Sequence, residues 1–482
     1  MSSTPGAAAR PSAAEDRATL RAAAPLIAVL AAAGLVMILN ETVLSVALPT
    51  LMHEFSISAV AAQWLSTGFL LTMAVVIPTT GFLMQRLRTR TVFATSLGLF
   101  LTGSAIAAIA PVFPVILTGR VVQAAGTAMM LPLLMTTAVR EAPMRYRGTV
   151  MGLISVVISV APAIGPTVSG LVIDSLGWRW VFWLMVLVGG VVTAAGLVLA
   201  RDERVPDPVP LDIASVALSV PAFGGLVYFL AVLSDVLDGD LLGLIGLAVG
   251  LVALVLFVLR QRRLAASGRA LLDLAPLKLR GFTLPLSVLS ATFAVMIGSV
   301  MVLPIYLQDG LGVSVLVTGL LLLPGGLIQV FVAPVVGRLY DTYGPRPLIV
   351  PGTALLAAGM WALVPIGPDT STAYIAGMYT VFGIGVAVVM TTMMSTGLGA
   401  LPPPLYPHGS AILNTAQQLA GAAGTALLIA MMTVGIRGRA EAGLVGADAV
   451  SGGMAPPFVL AGIVATLALV LALFVRAPRS DS

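Results

Sequence analysis

Cysteine is absent from the 482 residues, and histidine occurs only twice, as His53 and His408. Without thiols the chain cannot form disulfides, cysteine-ligated metal sites or a cysteine nucleophile. The two histidines fall in separate predicted loops, so we expect no zinc site. No GxxxxGK[ST] string occurs, which argues against an ATP-binding phosphate loop. We therefore predict no enzyme, no catalytic residues, no metal and no cofactor.

Charge is also scarce, because only 9% of the residues are charged while 59% are hydrophobic. Soluble domains are about one quarter charged, since their surface must face water. A surface with this few charges must face an apolar phase, and the lipid bilayer is that phase. The net charge of +5 therefore indicates membrane topology and not nucleic-acid binding.

Long apolar runs fill most of the sequence. A membrane-spanning helix needs about 20 such residues. This criterion predicts an all-α membrane protein with 14 transmembrane helices. The predicted spans are 24–47, 60–83, 92–110, 113–138, 149–173, 180–200, 212–233, 241–259, 283–306, 316–337, 348–365, 373–398, 410–434 and 457–475.

The basic residues are distributed unevenly between the two sides of this topology. If the N-terminus is cytoplasmic, 21 of the 25 basic residues fall on the cytoplasmic side. Only Arg179, Arg437 and Arg439 fall outside, and Arg120 lies within a span. This is the asymmetry of the positive-inside rule. It predicts a multi-pass protein of the bacterial inner membrane with both termini in the cytoplasm.

A weak internal repeat divides the chain. GFLMQRLRTR (Gly81–Arg90) follows the second span, and GRLYDTYGPR (Gly337–Arg346) follows the tenth. The repeat predicts two six-helix bundles with a helix pair inserted between them, and a substrate site near the midplane between the bundles. The predicted segments are a disordered tail (1–21), the first bundle (22–205), inserted helices 7 and 8 (206–262), a cytoplasmic loop (263–281), the second bundle (282–476) and a second tail (477–482).

Glu41 is the strongest functional candidate. Along the predicted helix, Glu41 lies about 30 Å from Arg21 and about 18 Å from His53. It is therefore well below the membrane surface. A carboxylate at that depth is costly unless it is paired or protonated, and desolvation favours its neutral form. We interpret Glu41 as a proton carrier. The alternative is a structural carboxyl group that is hydrogen-bonded to a neighbouring helix.

Arg120 is the one basic residue predicted inside a span, and it remains protonated, so it needs an anion or carbonyl oxygens around it. Gln123 follows it by one helical turn on a similar face. Arg120 either tunes Glu41 and the proton path or ties helix 4 to backbone carbonyls, and the sequence does not decide between these roles.

The fifth span carries APAIGPTVSG (Ala161–Gly170). Pro162 and Pro166 each remove a backbone hydrogen bond, while Gly165 and Ser169 permit close helix approach. This pattern suits a bendable helix at a moving interface, although a static kink is the other interpretation. Further residues that could line a substrate cavity, or simply pack between helices, are Gln63, Thr67, Met129, Gln329, Asn414, Gln417 and Gln418.

Several strings together resemble the major facilitator superfamily, and more closely its 14-helix drug:H⁺ antiporter branch, with the lincomycin-resistance exporters nearest. They are LNETVLSVALP (39–49), QWLSTGFLLT (63–72), LTGRVVQAAGT (117–127), APAIGPTVSG (161–170), WRWVF (178–182) and LPIYLQ (303–308).

The resemblance implies proton coupling at Glu41 and Arg120, with Asn40 and Gln123 as polar neighbours. It places Gly165, Pro166 and Gly170 on the antiporter motif. Pro162 joins them in the predicted gating set, together with Arg90, Asp341 and Arg346 in the loops after helices 2 and 10. Two positions depart from the family pattern. Asn40 stands where the branch often has aspartate, and Gln85 stands where the wider family usually has it.

The expected function is proton-coupled export of hydrophobic or amphipathic drugs, neutral or cationic, by alternating access. The expected partners are these small molecules, protons and membrane lipids, with no nucleic acid, and the chain is expected to be a monomer. Two alternatives stay open: an exporter of one endogenous lipid or metabolite, and a non-transporting membrane sensor.

Overall fold

A computed structural model describes residues 13–141, 143, 147–199, 212–233, 236, 239–267, 270–402 and 405–475. Within them lie fourteen long helices, each overlapping one predicted span. These are α1 (Ala13–Phe55), α2 (Trp64–Arg86), α3 (Thr89–Ala108), α4 (Phe113–Glu141), α5 (Arg147–Leu176), α6 (Arg179–Leu199), α7 (Ile213–Ala231), α8 (Leu241–Ala265), α9 (Arg280–Ile305), α10 (Val315–Tyr343), α11 (Arg346–Ala362), α12 (Thr372–Gly399), α13 (Tyr406–Glu441) and α14 (Ala455–Leu473).

The described part of the chain contains no strand, as expected where the backbone must satisfy its own hydrogen bonds in lipid. Twelve helices are long and apolar enough to cross a membrane. The other two long helices are α11, which has only 17 residues, and α5, which has 30 residues but whose side chains are in part outside the described residues.

Residues 13–21, predicted to be part of a disordered tail, are helical, because α1 already begins at Ala13. Residues 13–21 are rich in Ala, Leu, Arg and Glu, which are strong helix formers, so the helix extends beyond the apolar run. Residues 1–12 and 476–482 lie outside the described residues. The predicted loop 263–281 is partly helical, with a 3₁₀ turn at Ala275–Lys278 and the start of α9 at Arg280.

In chain order the long helices form a first set, α1 to α6, a pair, α7 and α8, and a second set, α9 to α14. Helices α1 to α6 contact one another, as do α9 to α14. The first set meets the second where α5 packs on α10, α2 on α13 and α1 on α9. The pair α7 and α8 packs together, and α7 also contacts α2 and α13. The inserted pair therefore lies over the line where the two sets meet.

The molecule has two ends that we name by residues. At the Phe55 face, where α1 ends, Arg179 at the start of α6 donates to Glu54 (3.3 Å) and to the Ala110 carbonyl (3.4 Å). At the opposite Asp212 face, Arg260 near the end of α8 forms a bidentate pair with Asp212 before α7, with distances of 2.7 and 2.6 Å.

Candidate functional site

Arg120 lies about two turns after the start of α4 and is completely buried, with no exposed surface. Its Nε–H donates to the Leu65 carbonyl (3.2 Å), and Nη1 donates to the Asn40 carbonyl (3.4 Å) and to Gln123 Oε1 (3.1 Å). The guanidinium carbon also lies 4.1 Å from the centre of the Phe69 ring, a cation–π distance. The guanidinium thus joins α1, α2 and α4.

Gln123 and Asn40 complete this polar cluster. Gln123 follows Arg120 by one turn and so shares its face. The Gln123 Nε2 donates to Ser104 Oγ on α3 (2.7 Å) and to Asn40 Oδ1 on α1 (3.4 Å). Of the sites predicted from sequence, Arg120, Gln123 and Asn40 therefore lie in one hydrogen-bonded cluster.

Glu41 lies beside this cluster, lining a small cavity together with Arg120, Ser66, Phe69 and Met301. The volume open to the centre of a water molecule is about 10 Å³, which is about enough for one water. Within the described part of the chain, the Glu41 carboxylate has no hydrogen-bond partner. The cavity is bordered by α1, α2 and α4 of the first set and by α9 of the second.

Two buried donors of the cluster also have no hydrogen-bond partner among the described residues. They are Arg120 Nη2 and Asn40 Nδ2. A buried donor without an acceptor costs about 1–3 kcal/mol. Arg120, which lines the cavity, can therefore donate to an anion or a water that enters it. The Glu41 carboxylate is thus an acceptor without a donor, and it lies near two donors without an acceptor.

The glycines predicted for the antiporter motif lie where helices approach one another closely. A Cβ atom on Gly165 would overlap the Thr42 hydroxyl, next to Glu41, and one on Gly170 would lie 2.8 Å from the Val315 carbonyl oxygen of α10. In the opposite direction, a Cβ on Gly319 of α10 would lie 2.5 Å from the Pro166 oxygen. Thr167 Oγ1 donates to the Gly319 carbonyl (3.0 Å). Helix α5 therefore contacts the helix of Glu41 and the second set at once.

Pro162 belongs to this motif, but its side chain lies outside the described residues. The remaining predicted gating residues lie at the Asp212 face, away from Glu41. Arg346 Nε donates to the Val475 carbonyl (3.1 Å). Asp341 is exposed near the end of α10, and Arg90 is exposed at the start of α3.

None of the seven predicted cavity residues lines the cavity beside Glu41. Several are committed elsewhere: Gln63 Nε2 donates to the Ala231 carbonyl of α7 (3.4 Å), Asn414 to Ser410 (2.9 Å) and Gln329 to Gly325 (3.1 Å). Met129 is buried in the hydrophobic core of the first set. The others, Thr67, Gln417 and Gln418, are buried.

Sequence reasoning missed several neighbours of the site. Phe69 and Ser66 on α2, Ser104 on α3 and Met301 on α9 all contact the cluster or line its cavity. The only signal for Ser104 is that it is a polar residue inside an apolar span, and Phe69 and Met301 have none, because apolar residues fill every span.

The two helix sets also meet at the Phe55 face. His53 Nε2 at the end of α1 lies 3.1 Å from Asp309 Oδ1, and Gln308 Nε2 donates to the Val46 carbonyl (3.1 Å). Gln308 and Asp309 belong to a π-helical turn, Tyr306–Gly310, that continues α9. Such turns occur frequently at functional sites.

The sequence profile of the Major Facilitator Superfamily matches residues 30–425, which include Glu41, Arg120 and the glycine motif of α5. The chain belongs to the major facilitator superfamily. It is therefore a multi-pass membrane transporter of the bacterial membrane and not an enzyme.

Relatives within the superfamily carry drug-resistance names. The chain is 38% identical over 457 residues to the lincomycin resistance protein LmrB of Listeria monocytogenes, covering 94% of this chain and 96% of the relative. It is 35% identical to LmrB of Bacillus subtilis, covering 95% and 96%. The tetracenomycin C resistance and export protein of Streptomyces glaucescens is 28% identical, covering 83% and 74%.

The fold of this chain is also similar to that of solved transporter structures. The bacterial homologue of the human lysosomal transporter Spinster, in an inward-facing and unoccupied conformation, matches with a TM-score of 0.66 at 15% identity, covering 94% of this chain and 97% of that chain. At this identity the similarity concerns the fold alone.

Proposed function

We propose that this chain is a proton-coupled antiporter that exports hydrophobic or amphipathic compounds by alternating access. The observation that carries the proposal is the arrangement of Glu41. Its carboxylate has no hydrogen-bond partner among the described residues, it borders a cavity between the two helix sets, and it lies beside the buried charge of Arg120. A group in this position can bind or release a proton without breaking an existing ion pair.

The proton and the substrate use the carboxyl group in turn. Protonated Glu41 is neutral and is tolerated in a closed apolar environment. After the proton leaves, the carboxylate either attracts a cationic compound or interacts with the free donors of Arg120 and Asn40. Because the two states of Glu41 favour different surroundings, proton binding changes which helix contacts are stable. The membrane potential contributes about 2.3 kcal/mol per charge per 100 mV when exchange is electrogenic.

The topology that we propose has 14 spans in two six-helix bundles, α1–α6 and α9–α14, with α7 and α8 inserted and both termini in the cytoplasm. The basic residues support this orientation, since most of them fall in the segments that the sequence predicts to be cytoplasmic. The Phe55 face is then external. The contacts His53–Asp309, Gln308–Val46 and Thr167–Gly319 would make this conformation the one closed to the outside.

The test is efflux from proteoliposomes with and without an imposed pH gradient, using lincomycin as the first probe because of the names of the relatives. We expect Glu41→Gln to abolish gradient-driven efflux. Glu54→Gln is the matched control, because Glu54 is an exposed carboxylate on the same helix and should retain transport.

The alternatives predict different results. Undiminished gradient-driven transport by Glu41→Gln contradicts the proposed coupling. An exporter of one endogenous lipid or metabolite predicts that unrelated inhibitors fail to compete, and a membrane sensor predicts no flux at all.

A further inference from the structure

A groove on the membrane-facing side of the molecule lies between the inserted helices α7 and α8. Its volume is about 350 Å³, and its walls include Leu218 and Pro221 of α7 and Val249, Val252 and Leu256 of α8. Both helices are candidate membrane spans, so the groove opens into hydrocarbon. Water has no polar partner on such walls, and a hydrocarbon chain is the occupant that the surroundings supply.

One end of the groove is basic. Val249, Val252 and Leu256 share one face of α8, because they are three and four residues apart. The same spacing continues to Arg260 and Arg263, so the apolar stripe runs directly into two guanidinium groups. Leu256 and Arg263 are two turns apart, about 10 Å along the axis. Arg263 is exposed, near the end of the span, where the headgroups of the lipids begin.

The end of the groove is held in place by a polar cluster between the two helices. Arg260 donates through Nε and Nη2 to Asp212 (2.7 and 2.6 Å). Gln261, completely buried, donates to Ser215 Oγ (2.6 Å) and accepts from the Leu272 amide (3.1 Å). Asp212 balances the charge of Arg260. Arg263 has no ion-pair partner among the described residues, so it supplies the remaining positive charge on this stripe.

We propose that the α7–α8 groove is a binding site for an anionic phospholipid, with one acyl chain along the groove and the phosphate on Arg263. An acyl chain that enters the groove from the bilayer moves from one apolar environment to another. Its binding therefore gains little hydrophobic free energy and depends on how well the chain fits the shape of the groove. The headgroup charge therefore decides which lipid is retained. The proposal needs only that α7 and α8 lie in the membrane, and it does not depend on proton coupling.

The first test compares lipid retention by the purified full-length protein in detergent, using native mass spectrometry. Phosphatidylglycerol and phosphatidylcholine with identical acyl chains are the two probes. We expect the wild type to retain phosphatidylglycerol about fivefold better, which corresponds to one basic residue near a lipid surface. Arg263→Gln should remove this preference.

Arg262→Gln is the matched control, because it removes the same charge from the neighbouring residue, which points away from the stripe. It should keep the preference for phosphatidylglycerol. Equal losses in the two variants would show a diffuse charge effect and overturn the proposal, as would equal retention of the two lipids by the wild type.

The second test concerns the groove itself. Ala248→Phe places a ring in the groove from an exposed wall position, and Leu251→Phe, exposed on the same helix but outside the groove, is its control. We expect Ala248→Phe to lower phosphatidylglycerol retention severalfold and Leu251→Phe to leave it unchanged, with equal melting temperatures showing that both variants fold.

If neither Ala248→Phe nor Leu251→Phe lowers retention, or if both lower it equally, no acyl chain lies in the groove. If lincomycin displaces phosphatidylglycerol and Ala248→Phe abolishes efflux, the groove holds transported compound and the proposal is wrong. Glu41→Gln should retain lipid like the wild type, so a failure of the proposed coupling would leave this result unchanged.

Discussion

Arg120 illustrates how a charge is kept inside a membrane protein. In place of water, its guanidinium contacts two backbone carbonyls, one side-chain amide oxygen and an aromatic face. These groups come from three helices, and the Glu41 carboxyl group lies beside them. Among the described residues Glu41 has no hydrogen-bond partner, so under the proposed coupling its carboxyl group would bind and release a proton while the hydrogen bonds of Arg120 persist.

The geometry predicts that lysine cannot replace Arg120. A lysine ammonium is a compact point charge and cannot reach Leu65, Asn40 and Gln123 with the fixed fork of a guanidinium. We expect Arg120→Lys to lower gradient-driven efflux by more than about tenfold, because one lost charge-assisted hydrogen bond is worth about 1.5–3 kcal/mol. Arg86→Lys, at the exposed end of α2, is the control. Wild-type efflux by Arg120→Lys would refute this role.

Asp212 gives a prediction with a defined pH range. The hydrogen bonds from Arg260 lower the pKa of Asp212 from its ordinary 3.8 to about 2. A carboxyl group with a lowered pKa stabilises the fold above its unfolded pKa, and this stabilisation is lost as the pH falls through the folded value.

We therefore expect Asp212→Asn to lower the melting temperature at pH 5 to 8, with a contribution of about 1–2 kcal/mol after screening by solvent. The difference from the wild type should shrink as the pH falls from 4 toward 2. Melting curves in detergent measure this difference. A gap that persists unchanged at pH 2 would exclude the ion pair as its cause.

At the scale of elements, α5 is the helix that connects the site to the other half of the molecule. Its glycines bring the backbones of α1 and α10 within contact of its own. Small residues let helices in lipid approach closely, and here they do so on two sides of one helix. A displacement of α5 against α10 therefore affects Thr42 and, next to it, Glu41.

This packing predicts the effect of one methyl group at the contact between α5 and α10. In Gly319→Ala the new Cβ would lie 2.5 Å from the Pro166 oxygen and 3.0 Å from the Thr167 Cα, so the conformation closed at the Phe55 face is destabilised. Because the chain has no cysteine, Ser66→Cys provides a unique thiol near Met301. We expect Gly319→Ala to increase its labelling by an impermeant maleimide severalfold.

Gly190→Ala is the control for this experiment, since a Cβ at Gly190 meets nothing within 4 Å and alanine favours a helix by about 1 kcal/mol over glycine. Equal labelling rates in the two variants would mean that the α5–α10 contact does not control opening at the Phe55 face.

At the scale of the whole molecule, the number of spans determines which loops face which side. The proposed 14 spans include α5 and α11, the two long helices that are not among the twelve candidate spans of the described residues. We expect Ser175→Cys, in the last turn of α5, and Asp369→Cys, after α11, to be labelled from outside intact cells. Arg262→Cys should be labelled only after the membrane is permeabilised. Labelling of Ser175 or Asp369 only from inside would show that the preceding helix does not span.

Part of the site could be predicted because ionisable residues are so rare in apolar runs. Glu41 and Arg120 stand out in the sequence for this reason, and Gln123 follows from helical spacing. Their actual contacts could not be predicted. The Leu65 carbonyl and the Phe69 ring contact Arg120 only because α2 and α4 pack at a particular register, and every span contains similar apolar residues.

The sequence by itself determined the all-helical membrane fold, the place of each long helix and the superfamily, because hydrophobicity over about 20 residues and local motifs depend on neighbouring residues alone. Only the tertiary structure decided what those helices contact. The unpaired state of Glu41, the contact between α5 and α10 and the groove between α7 and α8 arise from residues far apart in the chain, and side-chain packing between helices, not hydropathy, brings them together.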